Sequence, residues 1–410
     1  MSDRTKKAPG RRLSVAVMLF YLLAFLLLAG RENDSLGYVL ALAVPCMIFV
    51  GTFVLPHIFP TDRLLMSLTN FLCAMGVLLL YDTNPAYALQ QAIAYGLGLV
   101  AMIFCIYLVR LLSSWQRTMW LLIPASLALL LLPLVLRREI NGALNWVTLG
   151  PVSFQPSEVV KLSLVLVVAW FLSRQRMLPW LLFVLACLAL LLGQRDLGTA
   201  LLYFTVTLLL FWISTGNLPL SMLGLAGGAA AAVLGYRLFA HVRLRVAIWL
   251  DPYANPEGAS QLILGLEAIG RGGLWGVGLG LGAPTSIPVY ESDFIFAVLC
   301  EQFGQVFGVC VLLIYAALIL RGAAIAVSAR RSFHSLLAMG STTLLGLQTF
   351  VIIGGVLKLI PLTGVTLPFI SYGGTSLIAS LCLVGFIQGV ESLTEDDLRE
   401  DAHLAMLDRG

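Results

Sequence analysis

Apolar positions dominate this chain in runs long enough to cross a bilayer, and most polar positions fall between them. Such runs lie near 13–29, 37–55, 64–81, 92–109, 119–136, 159–173, 178–193, 199–214, 219–239, 293–320, 334–356 and 366–390, twelve in all. A spanning helix needs roughly 20 predominantly apolar residues, so each run predicts one membrane helix. The connections are short, with two exceptions at 137–158 and 240–292. If the chain enters from its basic N-terminus, both long loops fall on the same, external side. No sequence repeat recurs at a fixed period. Nor is there a matched pair of broken helices in two halves, the pattern a secondary transporter often shows. The expected fold is therefore an all-α polytopic membrane protein with a large extracytoplasmic loop.

Composition sharpens this picture. Of 410 residues, 60% are hydrophobic and only 11% charged, and the mean hydropathy is +0.95. Soluble domains carry about 25% charge, so a water-soluble enzyme, a nucleic-acid binder and a disordered scaffold are all excluded. With the N-terminus inside, Arg4, Lys6, Lys7, Arg11, Arg12, Arg63, Arg110, Arg117, Arg174, Arg176, Arg321, Arg330, Arg331, Arg399 and Arg409 are cytoplasmic, 15 of the 25 Lys and Arg. That bias agrees modestly with the positive-inside rule, and the external cations need another reason to be there. The run 13–28 after Arg11 and Arg12 lacks a small-residue cleavage site and reads as a retained first helix. Seven cysteines lie in apolar runs without ligand spacing, so no zinc site or disulfide framework is indicated. The acidic stretch Glu391 to Asp397 reads as a solvated end.

Ionisable and irregular segments near the ends of these runs are the candidates for chemistry, because charge at membrane depth costs about 2.5–3.5 kcal/mol on insertion scales. Gln155-Pro156-Ser157-Glu158 with Lys161 opens the sixth run. Glu158 and Lys161 share a helical face, and form either a local ion pair or, with Lys161 facing an external cavity, an anion site. Gln194-Arg195-Asp196 precedes the eighth run and reads as a neutralised pair at a turn or a second polar site. Arg243 and Arg245 enter the large loop, which then holds six glycines in 272–282. Glycines permit tight turns and close backbone approach to a ligand, although the Lys-Ser/Thr ending of a phosphate loop is missing.

Asp293, in Glu291-Ser292-Asp293-Phe294, sits at the external mouth of the tenth run with aromatic neighbours and no cation nearby in sequence. Desolvation would raise its pKa toward the range useful to a general base. The alternative is a helix cap, since Ser292 and Asp293 both suit that position. Finally, Lys358 to Ser376 contains Pro361, Pro368, Gly364, Gly373 and Gly374. A broken or re-entrant segment follows, and such backbone survives at membrane depth only where protein or a wet cavity covers it.

Taken together these stretches resemble the SEDS family (shape, elongation, division and sporulation), which includes RodA, FtsW and SpoVE. The resemblance rests on 145–161 (Asn145-Trp-Val-Thr-Leu-Gly-Pro-Val-Ser-Phe-Gln-Pro-Ser-Glu-Val-Val-Lys161), Asp196-Leu-Gly-Thr-Ala200, Leu250-Asp-Pro252, Ala268-Ile-Gly270, Gly272-Gly273, Asp293-Phe-Ile-Phe-Ala297 and Pro361 through Ser376. They occur in the family's order over about 64–392. The family core has ten spans, so 1–62 is read as a basic N-terminus plus two additional helices, 63–392 as the core, and 393–410 as an acidic cytoplasmic tail.

The resemblance implies a peptidoglycan glycosyltransferase that polymerises lipid II at the outer face of the bacterial cytoplasmic membrane, with both termini cytoplasmic. It implies Asp293 as the essential acidic residue and general base of an inverting transfer that expels polyprenyl pyrophosphate. Glu158, Lys161, Arg243, Arg245, Lys358, Ser371 and Gly373 are the corresponding substrate and pyrophosphate candidates. A divalent cation (Mg or Mn) is a candidate cofactor, with no organic cofactor. The implied partners are lipid II, a class B penicillin-binding protein and membrane lipids, and no nucleic acid. Departures from the family pattern are Glu291-Ser292 for His-Thr, Arg195 for Pro, Ile352 for Asn, Asn145 for Arg, and Lys358 at a position often small. A lipid II flippase and a non-catalytic scaffold of the elongation or division machinery are the alternatives.

Overall fold

The structure is a computed structural model and describes residues 8–111, 116–136, 144–149 and 152–407. Helices account for nearly all of it. Two N-terminal helices come first: α1 (Ala8–Glu32) and α2 (Ser35–Phe49), the latter running through a π turn (Val50–Val54) into α3 (Leu55–Ile58). The next spans are α4 (Arg63–Thr83), α5 (Pro85–Leu111) and α6 (Gln116–Leu136). A short antiparallel hairpin follows, β1 (Val147–Leu149) with β2 (Val152–Phe154). Then come α7 (Pro156–Ser173), α8 (Met177–Gly193), α9 (Leu197–Thr215) and α10 (Leu218–Leu238). The large loop holds α11 (Ala240–Leu250), α12 (Pro256–Gly272) and α13 (Ile295–Phe303), and the chain ends in α14 (Gln305–Ser328), α15 (Ser332–Val356) and α16 (Gly374–Leu407).

Among the described residues, eleven helical segments are long and apolar enough to cross a membrane, and Met177–Gly193 is a further, shorter apolar helix. The bundle centres on α4, α7 and α15, whose apolar faces are mostly enclosed, while α10 buries only Ser221. Local chemistry places the helix ends. Asp62, Asp196 and Asn217 each cap a helix by accepting from a backbone N–H within the first turn, which satisfies donors that have no intrahelical partner. Pro156 occupies a first turn, where its missing N–H costs nothing.

Two predicted spans begin later than their apolar pattern implies. The run 293–320 is broken at Gly304, so that α13 is a separate short helix and the crossing helix starts at Gln305. Gly304 has φ +88°, and a Cβ there would lie 2.3 Å from the Leu274 carbonyl oxygen. Glu301, Gln302 and Gln305 flank the break, but the apolar residues on either side make one run of it. Likewise the run 366–390 becomes helical only at Gly374, because 357–373 is irregular.

The helix ends form two polar faces. One, the loop face, carries the ends near 32–34, 82–84, 194–196, the hairpin, the 239–304 loop and 357–373. The opposite face is knitted by ion pairs: Arg321 with Asp62 at 2.6 Å, Arg110 with Asp396 at 2.8 Å, and Arg330 with Asp401. The acidic end of α16 is thus anchored as well as solvated.

Gly304 yields a direct test. Gly304→Ala forces a side chain into a backbone conformation essentially reserved for glycine and against the Leu274 carbonyl. It should lower thermal stability of the purified protein by at least about 1–3 kcal/mol, read as a shift in unfolding midpoint against wild type.

Candidate active site

The site is built around the irregular segment 357–373. Pro361 and Pro368 lack donors, Gly364 takes φ +75°, and Lys358 and Phe369 adopt φ +58° and +71°. Backbone carbonyls that a helix would satisfy internally must find partners elsewhere. They find them on surrounding helices. Gln348 of α15 donates to Thr366 O at 2.9 Å, Gln91 of α5 to Ser371 O at 2.9 Å, and Tyr315 of α14 to Pro368 O at 2.5 Å. From α11, Arg245 donates to Thr363 O at 2.8 Å and Trp249 to Lys358 O at 3.1 Å.

This segment in turn fixes the loop that carries Asp293. The Ser371 hydroxyl donates to Ser292 O at 2.5 Å and accepts from Leu367 N at 2.9 Å, and Tyr372 N donates to Glu291 O at 2.8 Å. The capping alternative for Ser292 and Asp293 is not realised. The cap position of α13 is Phe294, with no side-chain cap bond. Instead Ser292 Oγ donates to Asp293 Oδ1 at 3.0 Å, and Oδ2 points toward Gly364. A Cβ built on Gly364 would lie 3.8 Å from Asp293 Oδ2 and 3.7 Å from Arg245 Nη2. The carboxylate and the guanidinium therefore both lie beside Gly364, whose φ of +75° favours glycine.

Asp293 accordingly has a cation nearby, a correction to its isolation in sequence: α11 folds back over the bundle mouth and brings Arg245 to it. Asp293 is partly open to solvent, whereas its neighbour Phe294 is fully buried. Burial pushes the Asp293 carboxyl above the usual carboxylate range; the Ser292 hydroxyl and Arg245 pull it back, and Glu291 pushes it up again. The net displacement is upward, in the direction that suits a proton acceptor.

Glu158 and Lys161 form the local ion pair, and Lys161 does not face an open cavity. It is 2% exposed, paired with Glu158, and donates to Gln348 Oε1 at 3.1 Å. Because the same Gln348 holds Thr366, the pair braces the irregular segment from behind. Asp196 does not simply neutralise Arg195. It caps α9 through Thr199 N at 3.1 Å and accepts from Gln155 at 3.0 Å and Asn145 at 3.2 Å, tying the hairpin to the bundle. Gly198 then packs against Thr363 and Val365.

Arg243 is directed away, donating to Arg237 O at 2.6 Å. Lys358, Ser371 and Gly373 all lie on the irregular segment, and Gly373 N donates to Gln91 at 3.4 Å. The glycine cluster approaches protein backbone: a Cβ at Gly272 would lie 2.2 Å from Cys300 O, and one at Gly276 2.2 Å from Gln302 O. Among the described residues, no three His, Cys, Asp or Glu side chains come together as a metal-holding group. Asp293 and nearby Glu291 are the carboxylates that a magnesium ion would use here, together with waters and substrate phosphates. A separate apolar cavity of about 520 Å³ lies between α8, α9 and α10, near Met177, Phe211 and Asn217, at the opposite ends of those helices from Asp196.

The sequence reading passed over Gln91 and Gln348. Gln348 is an amide inside an apolar run and Gln91 one at the mouth of another, and that marks them, because polar groups at membrane depth are seldom without a partner.

Residues 57–395 match the family of cell cycle proteins FtsW, RodA and SpoVE. Peptidoglycan glycosyltransferase RodA of Mycobacterium tuberculosis is 31% identical over 373 residues, covering 83% of this chain and 80% of that protein. Stage V sporulation protein E of Bacillus subtilis is 32% identical over 361 residues, covering 80% and 96%. A solved peptidoglycan synthase complex, described as coordinating polymerization and crosslinking, contains a chain 33% identical with a TM-score of 0.69, covering 82% of this chain and 98% of its own. The crystal structure of Thermus thermophilus RodA gives 32% identity and a TM-score of 0.57, covering 81% and 96%.

Two outcomes follow from the site's electrostatics. The raised carboxyl of Asp293 favours the folded state fully only below its unfolded value, and that contribution is lost as pH rises through its folded value. Asp293→Asn should therefore unfold at a higher temperature than wild type at neutral pH, with the gap closing on acidification. For the buried pair, Lys161→Met strands the Glu158 charge and should cost about 3–5 kcal/mol. Adding Glu158→Gln should recover much of that, as a double-mutant cycle in detergent would measure.

Proposed function

The chain belongs to the FtsW, RodA and SpoVE family of cell cycle proteins, and on that premise we propose that it polymerises lipid II into glycan strands, with Asp293 as the general base. It is a multi-pass membrane protein and a peptidoglycan glycosyltransferase by its relatives, several of which bear that name over most of the chain's length. The observation that carries the catalytic assignment is the approach of Asp293 and Arg245 beside Gly364, at the mouth of the bundle and next to an irregular segment held by its neighbours.

The reaction joins two polyprenyl-linked substrates, with their tails in the bilayer and their sugars outside it. The acceptor's 4-hydroxyl attacks the anomeric carbon of the donor; the bond to the pyrophosphate oxygen breaks, and the hydroxyl proton passes to Asp293. Polyprenyl pyrophosphate departs without needing a proton, so one carboxylate suffices, and a single displacement inverts the anomeric configuration. Arg245, open to solvent, stands where it can meet the charge growing on the leaving group. Lys358 on the same segment is the second candidate cation. Ser371 and Gly373 shape the floor of the site. Glu158 and Lys161 act one layer behind, through Gln348.

The loop face is assigned to the outside and the ion-paired face to the cytoplasm, with both termini there. Arg63, Arg110, Arg174, Arg176, Arg330 and Arg331 at the ion-paired ends support that orientation. A class B penicillin-binding protein is the proposed partner, in line with the synthase complex of similar fold. The charged groups cluster at helix ends rather than at the bilayer centre, which favours transfer over lipid transport.

The test is polymerisation of purified lipid II by the protein with its partner. Asp293→Asn should lose at least about a hundredfold in rate, the lower range for a positioned base, while still binding the partner. Because the Asp293 carboxyl is displaced upward, the acid limb of the wild-type rate profile should lie at higher pH than an ordinary carboxylate would give. Strand synthesis by Asp293→Asn at the wild-type rate would defeat the assignment.

A further inference from the structure

The α1–α2 hairpin precedes residue 57, where the family match begins, yet it is fastened to the core along its length. Ser14 Oγ meets Ser67 Oγ at 2.7 Å, Tyr21 donates to Phe71 O at 2.7 Å, Asn70 donates to Thr52 Oγ1 at 3.0 Å, and Tyr81 donates to Asp34 at 3.1 Å. Four polar contacts between apolar helices specify one docked position. At the loop face this platform presents Arg31, whose Nη1 donates to Gly280 O at 2.9 Å, across 249 positions of sequence.

Gly280 belongs to the glycine-rich stretch; its φ of +73° favours glycine, and the ends of the Asp82 and Arg31 side chains crowd it. A Cβ there would lie 2.8 Å from Asp82 Oδ1 and 2.9 Å from Arg31 Nη1. The stretch is stitched to the far end of α13. Val277 N donates to Glu301 O at 2.9 Å, Gly278 N to Gln302 O at 3.0 Å, and Arg271 to Glu301 Oε1 at 3.0 Å. Gln302 Nε2 in turn donates to Asp82 Oδ2 at 2.5 Å. The near end of α13 begins two residues after Asp293. Phe294, between them, is fully buried and packs on Gly265, so the short helix can transmit a tilt from one end to the other.

We propose that Arg31 is a positioning residue for Asp293: the N-terminal hairpin holds the far end of α13 through Gly280 and the 276–282 loop, and so sets the pitch of the helix that presents the carboxylate. Arg31 touches neither substrate nor reacting atoms. The inference deepens the glycosyltransferase reading and rests on it for its kinetic consequence, whereas the mechanical link stands independently.

The experiment compares the full-length wild type with Arg31→Ala and Arg31→Lys by two readouts. Hydrogen exchange should show the amides of Val277 and Gly278 opening roughly tenfold faster in Arg31→Ala, with α4 and α5 unchanged. Lipid II polymerisation with the partner should show turnover reduced about tenfold to a hundredfold at a KM within twofold of wild type, as misplacement of a reacting group does. Arg31→Lys, which keeps a donor of similar reach, should recover much of both. Unchanged exchange at 277–278 overturns the mechanical link. Loosened exchange with wild-type turnover overturns the positioning role, as does a turnover loss that merely follows a global fall in unfolding temperature in both variants. Failure of the wild type itself to polymerise lipid II would instead reject the glycosyltransferase reading, leaving the exchange result to decide the link.

Discussion

The site depends on a requirement that the bilayer imposes: a peptide group without a partner in an apolar medium costs several kcal/mol. A chain can leave the helical state between two spans only if neighbouring side chains replace the lost bonds. Here Gln91, Gln348, Tyr315, Arg245 and Trp249 do so for 357–373. They come from four helices, α5, α11, α14 and α15, far apart in the sequence, so the segment can be ordered only when the whole bundle is assembled. The same contacts deliver Asp293, because Ser371 and Tyr372 hold Ser292 and Glu291 by their carbonyls. Order in the catalytic loop is therefore inherited from polar closure of the segment beneath it.

The electrostatics of Asp293 result from opposed influences of comparable kind. Burial raises the carboxyl, while Ser292 and Arg245 stabilise its charged form. Too strong an ion pair would make the carboxylate a weak base, and full burial without a cation would keep it protonated. Arg245 and Asp293 form no direct salt bridge, so the guanidinium attracts the carboxylate at longer range. The arrangement leaves Arg245 available to a second anion.

Much of this could be read from the residues. The spans are legible because twenty apolar positions in succession have few other uses, and the irregular 358–376 stretch is legible from its prolines and glycines. Asp293 stands out as an acid at the mouth of an apolar run. What the pattern hides is geometry that hydrophobicity does not encode. Gly304 breaks a run at Glu301, Gln302 and Gln305, polar residues that mark the place but not its geometry, whose reason lies in the Leu274 carbonyl thirty residues earlier. Arg245 and Asp293 meet only because α11 folds back, which no local spacing announces. Lys161 could be an ion-pair partner or an anion ligand by sequence, and the deciding residue, Gln348, lies on a helix distant in the chain. The glycines signal close approach correctly but not its object, which for Gly272, Gly276 and Gly282 is α13 rather than a ligand.

The π turn at 50–54 has its own consequence. A widened turn carries one more residue than a regular helix and rotates everything after it by about 100° relative to what precedes. In α2 that rotation lets Thr52 meet Asn70 while Ile48 O also faces the Asn70 amide, at 3.5 Å. The phase of the hairpin on the bundle is thus written into a single surplus residue. Shortening the chain by one there would restore an ordinary spiral and leave every apolar side chain in place by composition, yet it would turn the C-terminal part of the helix onto a different stripe of its neighbour.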